Sequence, residues 1–214
     1  MRRLIFLILF IIPTSFLFSQ EIGQIAPPKP PLDFPSNALG FDLLIGESGF
    51  GVGGFYRRQL STKFTVFGDV SISEAKDERE IEYIDIYGQS FTIGKQNRVF
   101  QIPITLGAQF RLFENELTDN LRPYINAGVG PTIALTTPYA EEFFKAFSYS
   151  QTHYAVGGYA GFGANFGLDQ KSLIGINVRY YYTQFLDEGV EILKDRFKDH
   201  LSGFFITLNF GFMY

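Results

Sequence analysis

The feature that most constrains this chain is a two-residue alternation of apolar side chains with polar or small ones, which recurs between Leu39 and Tyr214. Because successive side chains of an extended strand point to opposite faces, this period predicts β-strands. About eight such segments follow one another, each near the length that a tilted strand needs to cross a bilayer. In the clearest stretch, the apolar face consists of Phe100, Ile102, Ile104, Leu106, Ala108, Phe110 and Leu112.

Soluble β-sandwiches and lipocalin-like barrels have strands with the same two-residue period. The residues on the opposite face of these strands distinguish a membrane barrel from such soluble proteins. It carries Gly, Asn, Gln, Arg and Asp, rather than the Lys and Glu that a soluble sheet shows to water. The alternation also continues to the last residue, with aromatic side chains at Phe210, Phe212 and Tyr214. Both features favour an all-β fold, an eight-stranded antiparallel up-and-down transmembrane barrel.

Composition excludes several classes of protein. The 214 residues include no Cys and two His, so disulfides and Cys-based zinc sites are excluded, and we expect no cofactor and no metal site. The net charge of −4 and the pI near 5.2 argue against a nucleic-acid partner, which normally requires a basic face. The apolar runs of about 20 residues that a bundle of membrane helices would need do not recur.

The connections between the segments alternate in length. Outer-membrane barrels have short periplasmic turns and longer outer loops, so a chain that starts in the periplasm would place every long connection outside. The long connections are 74–97, 135–153 and 186–202; the connections 60–62, 114–120 and 169–172 are short or moderate, and the first outer loop, 47–48, is unusually short. A weak alternation between residues 80 and 94 predicts a hairpin above the membrane, because each arm is shorter than the roughly nine residues that a ten-stranded barrel would need.

The first 37 residues have a different character. A basic start at Arg2 and Arg3 precedes the apolar run 4–12, and a small residue, Ser19, follows. This is the layout of a secretory signal, so we predict a signal peptide over 1–19 rather than a retained anchor helix. The prolines between 26 and 35 predict an extended Pro-rich periplasmic leader over 20–37. The barrel domain is then 38–214.

Two of the long connections carry helix signals. Val190, Leu193, Phe197 and Leu201 recur at helical spacing before Gly203, and the segment 140–147 predicts a further turn or two. We expect these short helices to pack on each other over the barrel mouth. The alternative is an exposed patch that binds a protein partner or rests on the outer leaflet. The candidate interaction residues are Tyr139, Phe143, Phe144, Phe147 and Phe197.

The inner face of the predicted barrel carries charged side chains. An eight-stranded barrel has an interior just wide enough for side chains to fill, and buried charges must be paired. We therefore expect a network of salt bridges and amides that closes the lumen, the alternative being a polar path for a small solute. Its candidate members are Asp42, Arg57, Asp69, Gln101, Gln109, Arg111, Asn126, Asn177 and Arg179.

Four motifs resemble one known family: Ile102-Pro103-Ile104, the run 122–130, the Gly-rich segment 157–167 and Val178-Arg179-Tyr180-Tyr181. The sequence from Leu39 to Tyr214 resembles the small outer-membrane β-barrel domains of Gram-negative bacteria, notably the PorT-like members. The resemblance implies an outer-membrane location, with outer-membrane lipid or lipopolysaccharide around the barrel. The terminal aromatics Phe210, Phe212 and Tyr214 resemble the signal read by the barrel-insertion machinery. Family members include structural proteins, adhesins, small-solute barrels and parts of secretion machinery.

These observations predict a non-enzymatic integral outer-membrane protein, structural or recognitional, that acts through its long outer loops. The alternative is a narrow channel or an accessory barrel for transport or secretion. A lipid A-modifying enzyme is a third hypothesis, because His200 and Ser202 resemble the His-x-Ser of outer-membrane deacylases. In that family Asn follows the Ser and an acidic residue lies downstream, whereas here Gly203 follows and no Asp or Glu lies between Ser202 and Tyr214.

Overall fold

The computed structural model describes residues 34–47, 49–77, 79–88, 90–117, 120–167 and 170–214. The predicted signal peptide and most of the predicted leader lie outside these residues. The strands are β1 (Asn37–Gly46), β2 (Gly49–Gln59), β3 (Phe64–Ala75), β4 (Glu82–Ile84), β5 (Ser90–Thr92), β6 (Asn97–Arg111), β7 (Arg122–Pro138), β8 (Gln151–Phe166), β9 (Ser172–Phe185), β10 (Val190–Leu193), β11 (Arg196–Lys198) and β12 (His200–Met213). A short helix, α1 (Phe143–Ala146), and a 3₁₀ turn (Phe147–Tyr149) lie between β7 and β8.

Eight strands form a closed barrel in the order β1-β12-β9-β8-β7-β6-β3-β2, and every neighbouring pair is antiparallel. The last strand closes the barrel on the first, with Phe41 opposite Phe210 and their rings stacked at 5.4 Å. The predicted eight-stranded antiparallel fold is therefore confirmed. The hairpins β4–β5 and β10–β11 form two separate two-stranded sheets.

The outward face of the barrel is a continuous apolar belt. A closed barrel satisfies all of its strand hydrogen bonds internally, which is what allows β-structure to exist in a bilayer. Together with an outward apolar band, this is the architecture of outer-membrane barrels, and it places the protein in an outer membrane, as the sequence predicts. The exposed members of the belt include Phe41, Ile45, Val52, Val70, Ile104, Leu106, Ile125, Val129, Val156, Phe162, Ile176, Tyr180, Ile206 and Phe212.

Among the described residues, no helix is long and apolar enough to cross a membrane.

The two ends of the barrel differ as the connection lengths predict. One end, here called the short-turn end, carries the connections 60–63, 112–121 and 167–171, the start of β1 and the end of β12. The other, the long-loop end, carries the tight turn at 47–48 and the connections 76–96, 139–150 and 186–199. In outer-membrane barrels the long loops face outward from the cell and the short turns face the periplasm.

The loop predictions have mixed outcomes. The hairpin within 80–94 is confirmed as β4–β5, and α1 with its 3₁₀ turn confirms a short helix near 140–147. The helix over 187–201 is wrong, since this segment forms the β10–β11 hairpin. Gly189 (φ 84°) and Asp195 (φ 60°) adopt left-handed backbone that interrupts any α-helix. The burial pattern also differs, because Ile192 is buried while Phe197, on the predicted apolar helix face, is exposed.

Candidate functional site: a closed lumen and the long-loop surface

Arg179 is the central charge of the lumen. Its Nη2 donates a hydrogen bond to Asp42 Oδ2 at 3.1 Å, and its Nη1 lies 3.6 Å from Asp69 Oδ2. Arg179, on β9, is 2% exposed, and Asp42 and Asp69, on β1 and β3, are 2% and 8% exposed. One guanidinium on β9 therefore bridges two buried carboxylates that belong to two other strands of the barrel. Bidentate hydrogen bonding suits arginine to this position.

Aromatic and amide side chains complete the hydrogen bonding of both carboxylates. The Tyr159 hydroxyl donates to Asp69 Oδ2 at 2.7 Å, and Asn209 Nδ2 donates to Asp42 Oδ1. The Arg179 guanidinium lies 4.7 Å from the centroid of the Tyr159 ring. Because buried charges are stable only when paired and hydrogen-bonded, these contacts give each carboxylate both a cationic partner and a neutral donor.

A layer of large side chains fills the lumen at the same height. Tyr159 stacks on Phe67 at 5.9 Å and contacts Tyr181 at 4.8 Å, and Tyr181 meets Phe205 edge-on at 5.5 Å. Together with Leu44 these residues form one buried cluster. The ionic bridge and the aromatic layer therefore obstruct the interior at mid-height.

The β10–β11 hairpin closes the long-loop end. Val190 and Ile192 are completely buried, and they contact inward-facing residues of the barrel strands. The hairpin thus inserts an apolar edge into the mouth, where the sequence had predicted two helices packed on each other. The apolar cluster consists of Ala75, Val99, Ala134, Ala155, Phe185, Val190, Ile192 and Leu201.

Hydrogen bonds to the β5–β6 connection hold this hairpin in place. The Gln96 N–H donates to Ile192 O at 2.8 Å, and the Lys194 N–H donates to Gly94 O at 2.9 Å. Asn97 Nδ2 donates to Glu191 O at 2.7 Å. The plug is therefore fixed to a neighbouring loop along its length, in addition to its apolar contacts with the barrel.

The remaining lumen candidates are distributed along the barrel. Gln101 Oε1 accepts a hydrogen bond from the Thr183 hydroxyl at 3.0 Å near the long-loop end. Gln109, Asn126 and Asn177 are buried on the inner face of the barrel. Arg111 does not belong to the central bridge. Its Nη2 donates a hydrogen bond to Leu117 O in the connection that follows β6. Arg57 also lies toward the short-turn end, where it bonds Asn165.

The aromatic residues of the 139–150 connection lie on the outside of the barrel. Phe147 stacks on Phe100 of β6 at 5.6 Å, and Phe143 meets Phe100 edge-on at 6.2 Å. Phe100 has the sequence parity of the lipid-facing residues Ile104 and Leu106, so α1 folds down against the outer wall and not over the mouth. Phe144 remains 82% exposed. Arg98 lies over the ring of Tyr139 at 4.7 Å.

The β4–β5 hairpin presents an apolar tip that the sequence analysis did not select as an interaction site. Ile84, Ile86 and Tyr87 are 74%, 92% and 83% exposed. The base is fixed by an ion pair between Lys95 Nζ and Glu80 Oε2 at 2.8 Å, with both side chains 6% exposed. The weak alternation of residues 81–87 predicts the hairpin. It does not predict which side chains of the hairpin are exposed, because that depends on contacts with the other loops.

Each histidine lies beside one aspartate. His153 Nδ1 lies 2.9 Å from Asp187 Oδ2, and His200 Nδ1 lies 2.8 Å from the adjacent Asp199 Oδ1, with its ring stacked on Tyr182. Partial burial raises the pKa of the Asp187 carboxyl, but hydrogen bonds from the Gly189 N–H and His153 outweigh it and hold that pKa below its ordinary value. These contacts fix loop geometry. Within the described ranges, no three or more His, Cys, Asp and Glu side chains converge as a metal site.

Several solved structures share this architecture. The N-terminal β-barrel domain of Pseudomonas aeruginosa OprF is 12% identical and has a TM-score of 0.45, covering 84% of this chain and 97% of that one. Ail, the attachment invasion locus protein of Yersinia pestis, is 15% identical with a TM-score of 0.43, covering 84% and 99%. Neisserial surface protein A is 11% identical with a TM-score of 0.43, covering 83% and 94%. No protein-family model matches the sequence, and no curated protein sequence matches it significantly.

Proposed function

We propose that this protein is a non-conducting, non-enzymatic barrel of the outer membrane that acts as a recognition protein through its long-loop end. The observation that carries the proposal is closure of the lumen at two heights. The Arg179 bridge and its aromatic layer fill the middle, and the β10–β11 hairpin fills the mouth. A barrel closed in this way has its accessible surface outside the lumen, and the long-loop end is the part that protrudes from the outer leaflet.

The β4–β5 tip is the part of this end best suited to bind a protein partner. Exposed apolar side chains grouped on a protruding element mark interaction sites. Ion pairs of Lys95 with Glu80 and Glu74 connect the base of the hairpin to the end of β3. A fixed base with an uncovered apolar tip reduces the conformational entropy that binding would cost.

The α1 segment is suited to a different partner, the lipid of the outer leaflet. Aromatic girdles at the rim of outer-membrane barrels lie at the level of the lipid headgroups. Phe143 and Phe147 pack against Phe100 on the outer wall, and the guanidinium of Arg98 lies beside Phe143, where it would attract anionic headgroups. The segment thus anchors the rim of the barrel, while the β4–β5 tip remains available to a protein.

We also propose that the chain is a PorT-like barrel and that its terminal aromatic residues act as an insertion signal. Phe212 and Tyr214 are 54% and 57% exposed on the outside of the closing strand, and Phe210 stacks on Phe41 of β1. This arrangement leaves an aromatic edge that the barrel-insertion machinery could read before β12 pairs with β1. Truncation of residues 210–214 is expected to prevent accumulation in the outer-membrane fraction.

Planar bilayer recordings test the closed lumen. The refolded protein is expected to show no ion-conducting steps, and so is a variant in which residues 190–198 are replaced by a short Gly-Ser turn, because the Arg179 layer still blocks the pore. Conductance in the unmodified protein would contradict the proposal and favour the narrow-channel alternative. If only the shortened variant conducts ions, the β10–β11 hairpin closes the lumen and the Arg179 layer does not.

Photo-crosslinking in intact cells tests recognition at the β4–β5 tip. A photoreactive amino acid at position 86, which is 92% exposed, is expected to give a discrete protein adduct. The matched control is position 106, 71% exposed in the lipid belt, which is expected to give none. If the adduct at position 86 is lost when Tyr87 is also replaced by Ser, the partner binds through the apolar side chains of the tip. Equal adducts at both positions, or none at 86, would contradict a protein-binding role.

A further inference from the structure

A second group of charges lies at the short-turn end of the lumen, away from the surfaces discussed above. Arg57 of β2 is 5% exposed, and its Nη1 donates to Asn165 Oδ1 at 3.1 Å. Arg122, the first residue of β7, is the register partner of the same Asn165 on β8. Arg111, the last residue of β6, stands opposite Tyr124 of β7. Three guanidinium groups are therefore collected at one end of the interior.

Within the part of the chain that the structure describes, no carboxylate forms an ion pair at 4 Å or less with any of these three guanidinium groups. None of the ion pairs there involves Arg57, Arg111 or Arg122. The Arg122 guanidinium instead lies 3.8 Å from the centroid of the Phe34 ring and contacts Met213 Sδ. The Nε atoms of Arg111 and Arg122 are buried without a hydrogen-bond acceptor. Buried cations normally have an anionic or hydrogen-bonding partner, which the central Arg179 bridge illustrates.

A cavity of about 50 Å³ is lined by two of these arginines, Arg57 and Arg122. One water needs roughly 10–15 Å³ measured in the same way, so the space accommodates several waters or one small anion. Ser36 and Asn37 also line it, which puts its mouth at the short-turn end where β1 begins. The polar lining comes from Arg57, Arg122, Gln59, Thr65, Gln109 and Asn165.

We propose that this cavity binds a small oxyanion, a phosphate or a carboxylate, that enters from the periplasmic side. Guanidinium groups match the oxygen geometry of both anions. Arg57 is held in place by its bond to Asn165 and by the Phe55 ring, whose centroid is 4.2 Å from its guanidinium carbon. Phe34 covers Arg122 from the other side. The cavity is small and lies in the interior of the barrel. It therefore suits a free anion better than a lipid headgroup.

Calorimetric titration of the full-length protein with inorganic phosphate tests the proposal. In maltoside micelles, which carry no phosphate, phosphate is expected to bind at one saturable site, and chloride at equal ionic strength is expected not to. Arg122→Gln should weaken phosphate binding by about ten- to a hundred-fold, the loss typical of a charge-assisted hydrogen bond. The matched control is Arg58→Gln, since Arg58 is exposed on the other face of β2 and should leave affinity unchanged. A change in gel mobility on heating in detergent shows that each variant is folded.

Several results would overturn the proposal. Phosphate could bind no better than chloride, or Arg122→Gln could bind it as tightly as the unmodified protein. Loss of the phosphate response in phosphatidylglycerol nanodiscs would identify lipid phosphate as the ligand in place of a free anion. Three aspartates lie outside the described residues: Asp33, Asp119 and Asp169. Each is replaced by Asn in a separate variant. Tighter phosphate binding in any of these variants would show that the chain's own carboxylate occupies the site.

Discussion

Replacing Arg179 by Met is expected to lower the free energy of unfolding by about 3–5 kcal/mol, the cost of removing one partner from a buried ion pair. Asp42 and Asp69 would remain inside the barrel with only Asn209 and Tyr159 as hydrogen-bond donors. Neither neutral donor can replace a guanidinium that serves both carboxylates. Equilibrium unfolding in denaturant, from vesicles that hold the refolded protein, measures the change.

The control for this variant removes the charges together. The triple variant Asp42→Asn, Asp69→Asn and Arg179→Met leaves no charge in the central bridge, and neutral replacements of buried ion pairs are often close to isoenergetic. It is therefore expected to recover most of the stability that Arg179→Met loses. A triple variant no more stable than Arg179→Met would mean that the packing of the arginine side chain, rather than its charge, stabilises the lumen.

Replacing Leu106 by Arg is expected to destabilise the barrel by about 2–4 kcal/mol, the cost of a cation on the lipid face near the bilayer midplane. Leu106 lies well inside β6, is 71% exposed and pairs with Val129, itself 62% exposed. Both side chains belong to the apolar belt, so the new guanidinium would have hydrocarbon around it. The same vesicle unfolding experiment measures the loss.

Gln109→Ala is the matched inner-face variant on the same strand. Gln109 is 8% exposed and faces the lumen, so its loss removes an amide without placing a charge in lipid. The cost should be clearly smaller than that of Leu106→Arg. Equal costs for the two substitutions would mean that the inner and outer faces of β6 have been assigned the wrong way round.

The two ends of the barrel differ in their chemistry. The long-loop end is closed by the apolar edge of β10–β11, and its exposed groups lie on the β4–β5 tip and around α1. The short-turn end retains a polar cavity and arginines without carboxylate partners among the described residues. Because Arg179 and Tyr159 lie between these regions, we expect that a ligand at one end does not pass through the lumen to the other.

The strands, their two faces and the barrel class could be predicted from the sequence because strand periodicity is a local property. Alternation places Leu106 and Gln109 on opposite faces whatever the rest of the chain does. The connection lengths also predicted which turns share an end. The apolar belt follows directly, since each strand carries its own part of it.

Contacts between distant segments decided the rest. Val190, Leu193 and Leu201 fit both a helix and a hairpin, and the apolar mouth of the barrel selected the hairpin by burying Ile192 as well. Phe143 and Phe147 could have covered the mouth, but Phe100 on the outer wall gave them a stacking partner. Asp42 and Arg179 lie 137 residues apart, so only closure of the barrel could bring them together. The sequence by itself determined the class of fold and the two faces of each strand; the tertiary structure decided which side chains meet, because that depends on register and closure rather than on local spacing.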